Sequence, residues 1–240
     1  MSGTSLVASI EKRLDALIEL SRRNQGMYTA ANTAPERPTI TISREFGCEG
    51  FPVAEKTQAL LQGKTGTAWG LMDRDTLDKV ANNRELSDEI LKNLGEKNRF
   101  LDDMLSTIFT HWTSDKDYYQ LLCNQIVTFA KGGNVIIVGV GAGILTQHMP
   151  NCHNFRIIAP MEFKIKSVSR RHGISEEEAE RLIVRKQKQR DDFIKDFLNF
   201  DVAEASLYDI VFNNAKNSAD QIADMICYRV LSGGKRRGLD

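Results

Sequence analysis

The chain has 240 residues, with 32 Lys or Arg against 32 Asp or Glu and therefore no formal net charge at neutral pH. That balance excludes a nucleic-acid function resting on a broad basic surface, while the length suffices for the core of one large α/β domain with an accessory segment. No run approaches the roughly 18 to 20 apolar residues of a membrane span, and the four cysteines (Cys48, Cys123, Cys152 and Cys227) are dispersed without CxxC pairing, so the expectation is a cytoplasmic protein in a reducing compartment.

In chain order, Leu6, Ile10, Leu14, Leu17 and Ile18 recur at helical spacing with charged residues between them. The sequence thus predicts an amphipathic helix within residues 1–25, a polar linker over 26–38, a domain over 39–231 and a flexible tail over 232–240. A helix this short is marginal in water without a surface for its apolar face. It either docks on its own domain or mediates a homo-oligomer or protein-partner contact.

The stretch TITISREFGCEGFPVA, residues 39–54, reads as an alternating strand, a glycine-bearing turn and a helix start, the outline of a phosphate-binding loop. Gly47 and Gly50 bracket Cys48 and Glu49, but Gly50 stands where a Walker A Lys would follow, and Phe51 and Pro52 replace the hydroxyls. The expected cradle comprises Ser43, Arg44, Phe46, Gly47, Cys48, Glu49, Gly50 and Phe51, with backbone N–H groups and a helix dipole as its donors and Pro52 at the first helical position. Glu49 opposes phosphate unless it points away or is paired, and the alternative is a turn that needs glycine for geometry alone. Arg44 is the best substitute cation, since a guanidinium can fork onto two phosphate oxygens; its alternative is an ion pair with Glu45 or another local acid.

Further strands are predicted over 68–72, 135–138, 155–159 and 210–213, separated by helical segments over 77–81 with 86–94, then 118–130, 162–171 and 218–231. Strands alternating with helices imply a mainly parallel five-stranded sheet covered on both faces, with ligands at the carboxyl ends of the strands. Asp73 follows the second strand, where a carboxylate could serve as metal ligand, base or helix cap, and the sequence does not separate the three. Gly139, Gly141 and Gly143 form a weak glycine pattern without an acidic ribose partner. His148, Cys152 and His153 lack a spaced fourth ligand, and no metal site is assigned. Ser175 and Glu178 form a capping box that opens a basic helix carrying Arg181, Arg185, Lys186, Lys188 and Arg190, with acidic neighbours able to pair with most of them.

Taken together, ITISREFGCEGFPVAEK, IIVGVGAGIL, RIIAPMEFKIKSVSRRHGISEEEAE, the 187–197 stretch and LYDIVFNN resemble the cytidylate-kinase-like family of P-loop kinases. The resemblance implies a three-layer α/β sandwich with a helical lid, here with an extra N-terminal helix. It also implies ATP and Mg2+ as cofactors and a nucleotide or other small phosphate acceptor as substrate. Carried onto this sequence, Arg44, Asp73 and Arg190 are the implied catalytic positions, and Arg181, Arg185 and Lys186 belong to the lid. The chain departs from the family pattern at Glu49, Phe51, Val140 and Gln187. Two readings stand: a phosphotransferase moving the ATP γ-phosphate to a small acceptor, and a catalytically impaired regulatory or interaction module on the same scaffold.

Overall fold

The computed structural model describes residues 13, 14, 16, 37–82 and 115–232. Arg13, Leu14 and Ala16 are helical. The rest of the expected N-terminal helix, the 86–94 segment and the tail beyond 232 lie outside the described residues. The strands are β1 (Thr39–Arg44), β2 (Gly70–Met72), β3 (Val135–Val138), β4 (Cys152–Ile158) and β5 (Ile210–Asn213). The helices are α1 (Gly50–Thr65), α2 (Arg74–Asn82), α3 (Asp115–Gly132), α4 (Ala142–Leu145), α5 (Met161–His172), α6 (Glu176–Leu198) and α7 (Ala219–Leu231).

All four strand pairings are parallel, in the order β2-β3-β1-β4-β5, so the sheet is wholly rather than mainly parallel. Strand alternation divides the core. Ile40, Ile42, Ile136, Val138, Phe155 and Ile157 pack under α1 and α7, whereas Val135, Ile137 and Cys152 face α2, α3 and α4. Burying a Val, Ile or Phe of this kind contributes about 1.5 to 3 kcal/mol. The result is three layers, helix on sheet on helix.

The second face is polar along its middle. Thr41 donates to Asn154 Oδ1 at 2.8 Å, Thr146 donates to the same oxygen at 3.2 Å, and the Asn154 amide donates to the Gly143 carbonyl at 3.2 Å. One step further along the strands, Ser43 is in register with Arg156. Helices α5 and α6 form an antiparallel pair with its own small core of Val168, Ala179 and Ile183, against which Phe46 packs. Among the described residues no helix is long and apolar enough to cross a membrane.

Several boundaries differ from the sequence reading. Strand β4 starts at Cys152 rather than 155 because its first residues alternate between a polar and an apolar face. Helix α1 starts at Gly50, so Pro52 is its third residue. That place also lacks an intrahelical N–H partner, and the proline costs no ladder bond there. The capping boxes Ser175–Glu178 and Ser218–Gln221 are both formed.

Candidate active site

A cavity of about 510 Å3 opens at the carboxyl ends of the strands. Ser43, Arg44 and Phe46 enter it from β1 and its loop, Asp73, Arg74 and Asp75 from the start of α2, and residues 139–144 from the turn after β3. Arg156 comes from β4, Lys186, Gln187, Arg190 and Asp191 from α6, and Tyr208 from the segment before β5. The expected residues Arg44, Asp73, Arg190, Ser43, Phe46 and Lys186 therefore meet in one cavity. Gly47, Cys48, Glu49, Gly50 and Phe51 lie behind its wall, and Arg181 and Arg185 are exposed on α6 away from it.

The loop amides are largely engaged by the protein itself. Phe46 N–H donates to Gln187 Oε1 at 2.7 Å, Cys48 N–H to the Glu45 carbonyl at 3.3 Å, and Glu49 N–H to Asn214 Oδ1 at 2.8 Å. Glu49 is turned toward Asn214, whose amide donates to its carboxylate at 3.3 Å. Glu45 pairs with Lys164 at 2.9 Å instead of with Arg44 and accepts from the Ala159 N–H. The Cys48 thiol is buried, and burial first, then the nearby Glu45 charge, pushes its pKa up to about 12, so it is a core group and no nucleophile.

Arg44 is seated by two glycines. A Cβ on Gly50 would stand 2.8 Å from Arg44 Cγ, and one on Gly139 would fall 2.0 Å from Arg44 Nη1. The place where a Walker A Lys side chain would begin is thus filled by the Arg44 stem, and the guanidinium lies against the backbone of the turn after β3. That turn is unusual: Gly139, Val140 and Gly141 have φ of 79°, 52° and 74°. A β-branched residue at positive φ is a strained conformation that the surrounding structure must hold. Burial, then repulsion from Arg190, lowers the Arg44 pKa to about 10, with Asp73 acting in the opposite direction. Arg190, whose pKa is lowered chiefly by burial, sits over the Phe46 ring at 4.9 Å.

Asp73 is fully occupied. Its Oδ1 accepts from the Thr76 N–H at 3.0 Å and the Thr76 hydroxyl at 2.7 Å, and its Oδ2 lies 3.1 Å from Arg13 Nη1. Burial alone raises its pKa, but the Thr76 hydrogen bonds and the Arg13 charge outweigh that and hold it below the usual value. Among the three sequence readings of Asp73, the cap is the one formed. Arg13 is 7% exposed and stacks over the Phe51 ring at 5.1 Å.

Residues 39–216 match the sequence profile of the cytidylate kinase-like family. This chain belongs to the cytidylate kinase-like family. A "Cytidylate kinase" of Ignicoccus hospitalis is 34% identical over 103 residues, which is 42% of this chain and 59% of that protein. The chain therefore spans about three-fifths of the length of that curated relative. The crystal structure of an uncharacterized protein from Eubacterium ventriosum superposes with a TM-score of 0.65 over 82% of this chain and 99% of its own, at 23% identity, which supports the fold.

Within the cytidylate kinase-like domain, the donor set fits phosphate better than a protein-held magnesium ion. Phe51 stands where a metal-binding hydroxyl would be, and both Asp73 oxygens are engaged; among the described residues no group of three His, Cys, Asp or Glu side chains converges. Any Mg2+ accompanying a nucleotide would be carried on its phosphates, and no step below runs through it.

The sequence reading did not name Arg156, Tyr208 or Arg13. Arg156 carried a visible signal, a lone charge within the apolar strand run of NFRIIAP. Arg13 had none beyond lying on an amphipathic helix, because its partner is 60 positions away in the chain.

Proposed function

We propose that this chain is a phosphotransferase that moves the γ-phosphoryl group of ATP to a nucleotide or other small acceptor, with Arg44 and Arg190 in place of the missing loop lysine. The observation that carries this reading is the convergence of three guanidinium groups, Arg44, Arg156 and Arg190, on one cavity without an ion pair to any of them among the described residues. Buried charges are costly without a counter-charge. A phosphate chain supplies one, and its transfer needs positioning and cations more than covalent help from the protein. The acceptor oxygen attacks the γ-phosphorus, the bond to the bridging oxygen breaks, and ADP leaves with the negative charge. Arg190 at the lid and Arg44 at the strand end stand on two sides of the cavity in which that charge develops.

One observation favours the second reading, a regulatory module that binds nucleotide without transferring it: the loop amides at 46 and 49 and both oxygens of Asp73 already have protein partners. Calorimetric titration with ATP, GTP, CTP and CMP, with and without Mg2+, followed by product assays, separates the two. Saturable binding with turnover supports the enzyme, binding without turnover the module, and no binding in folded protein rejects both. Arg44→Ala is expected to weaken ATP binding about tenfold or more, the loss of a charged hydrogen-bonding group. Unchanged affinity would show Arg44 to be structural.

A further inference from the structure

Arg156 is 5% exposed on a central strand, yet its partners are neutral. Its Nη1 donates to Ser43 Oγ at 3.2 Å and lies 3.5 Å from the Tyr208 hydroxyl, with the guanidinium 5.6 Å from the Tyr208 ring. No ion pair among the described residues includes it. None of its nitrogens is sealed from space and partnerless. The donors that Ser43 and Tyr208 leave over therefore face the cavity that Arg156 lines.

Its direction differs from that of Arg44. Arg44 crosses from β1 to the Gly139 turn after β3 and toward Asp73 after β2. Arg156, on β4, turns to Tyr208, which precedes β5. With strands in the order β2-β3-β1-β4-β5, the two guanidinium groups serve opposite sides of β1. One phosphate chain held by Arg44 and Arg190 leaves Arg156 unanswered, so the cavity is built for a second anionic group. Ile144 and Val202, which also line it, offer an apolar wall for the body carrying that group.

We propose that Arg156, with the hydroxyls of Ser43 and Tyr208, forms a separate anion-holding corner that grips the phosphate of the accepting substrate, a small phosphate monoester, while Arg44 and Arg190 face the donor's phosphates. The assignment rests on the phosphotransferase reading. A guanidinium forks onto two oxygens of a phosphate, and the Tyr208 hydroxyl, which already donates to the Val202 carbonyl at 2.9 Å, fixes the fork's position.

The test is calorimetry on the full chain with ATP, CMP, AMP, cytidine and inorganic phosphate, comparing wild type with Arg156→Gln, Arg156→Lys, Tyr208→Phe and Arg44→Gln, each checked by melting temperature. Arg156→Gln is expected to weaken CMP, AMP and phosphate at least tenfold while ATP stays within about twofold. Arg44→Gln should show the converse, Arg156→Lys should retain most of the affinity, and cytidine should bind no better than weakly to any form. Equal losses for ATP and the monophosphates, or no loss for any probe in a folded variant, would overturn the corner. Should Arg156→Gln fail to fold, Arg156→Lys and Tyr208→Phe decide, and unchanged monophosphate affinity in both rejects it. Wild type that binds monophosphates but never ATP would keep the corner and sink the phosphotransferase reading. Binding of ATP but of no monophosphate and no inorganic phosphate would do the opposite.

Discussion

The glycine loop and the cavity beside it are neighbours that treat charge in opposite ways. In the loop, N–H donors that could meet an anion are answered by Gln187 and Asn214, and each carboxylate has a partner. In the cavity, Arg44, Arg156 and Arg190 are held by glycines, hydroxyls and an aromatic ring, and no carboxylate forms an ion pair with them among the described residues. The comparison teaches that a phosphate-loop scaffold can keep the shape of its loop while its binding charge moves to side chains that arrive from other strands.

The most damaging way to break the cavity side is Gly139→Ala. The residue has φ of 79°, and its Cβ would fall within 2.0 Å of Arg44 Nη1. Backbone strain and overpacking together predict a loss of about 2 to 4 kcal/mol in urea unfolding, together with weakened ATP binding. The matching change on the loop side is Asn214→Ala, at a residue 3% exposed that answers both the Glu49 N–H and the Glu49 carboxylate. It should cost about 1 to 3 kcal/mol of stability and leave ATP affinity within about twofold. A large loss of ATP affinity in this variant would blur the division between the two regions.

A smaller effect is expected from acid. Because the folded pKa of Asp73 lies below its ordinary value, the Asp73 contribution is fully present above the usual carboxylate range and is lost as pH falls through the lowered folded pKa. Asp73→Asn should therefore flatten the acid limb of a stability profile measured by urea unfolding and leave its slope near neutrality unchanged. The smallest effect belongs to the outer face of α6, where Lys188 and Asp192 make an exposed pair at 3.0 Å. Lys188→Ala is predicted to change stability by less than about 0.5 kcal/mol and ATP affinity not at all, because solvent already screens the pair.

How much of this was legible in the sequence depended on whether a signal was local. Alternation in TITISR and VIIV, the Ser175–Glu178 capping box and the glycine loop after the first strand all depend on near neighbours, and each stands where the spacing placed it. The four-residue helix α4 was missed because one turn is too short to show a period. Of the basic residues on α6, spacing alone grouped Arg181 with Arg185. The cavity meets Lys186, Gln187, Arg190 and Asp191 instead, because the way α6 packs against α5 and Phe46 sets its rotation. The engagement of the loop amides by Gln187 and Asn214 spans 141 and 165 positions. Contacts that distant leave no mark in a local pattern.

The seat of Arg44 also constrains how this loop can change by mutation. Lysine at position 50 would begin 2.8 Å from Arg44 Cγ, so restoring the usual phosphate-loop residue in one step would collide with the arginine that replaced it. Removing Arg44 first would leave the cavity with neither cation. Either order passes through a worse protein, which makes positions 44, 50 and 139 an epistatic trio whose present state is easier to keep than to reverse.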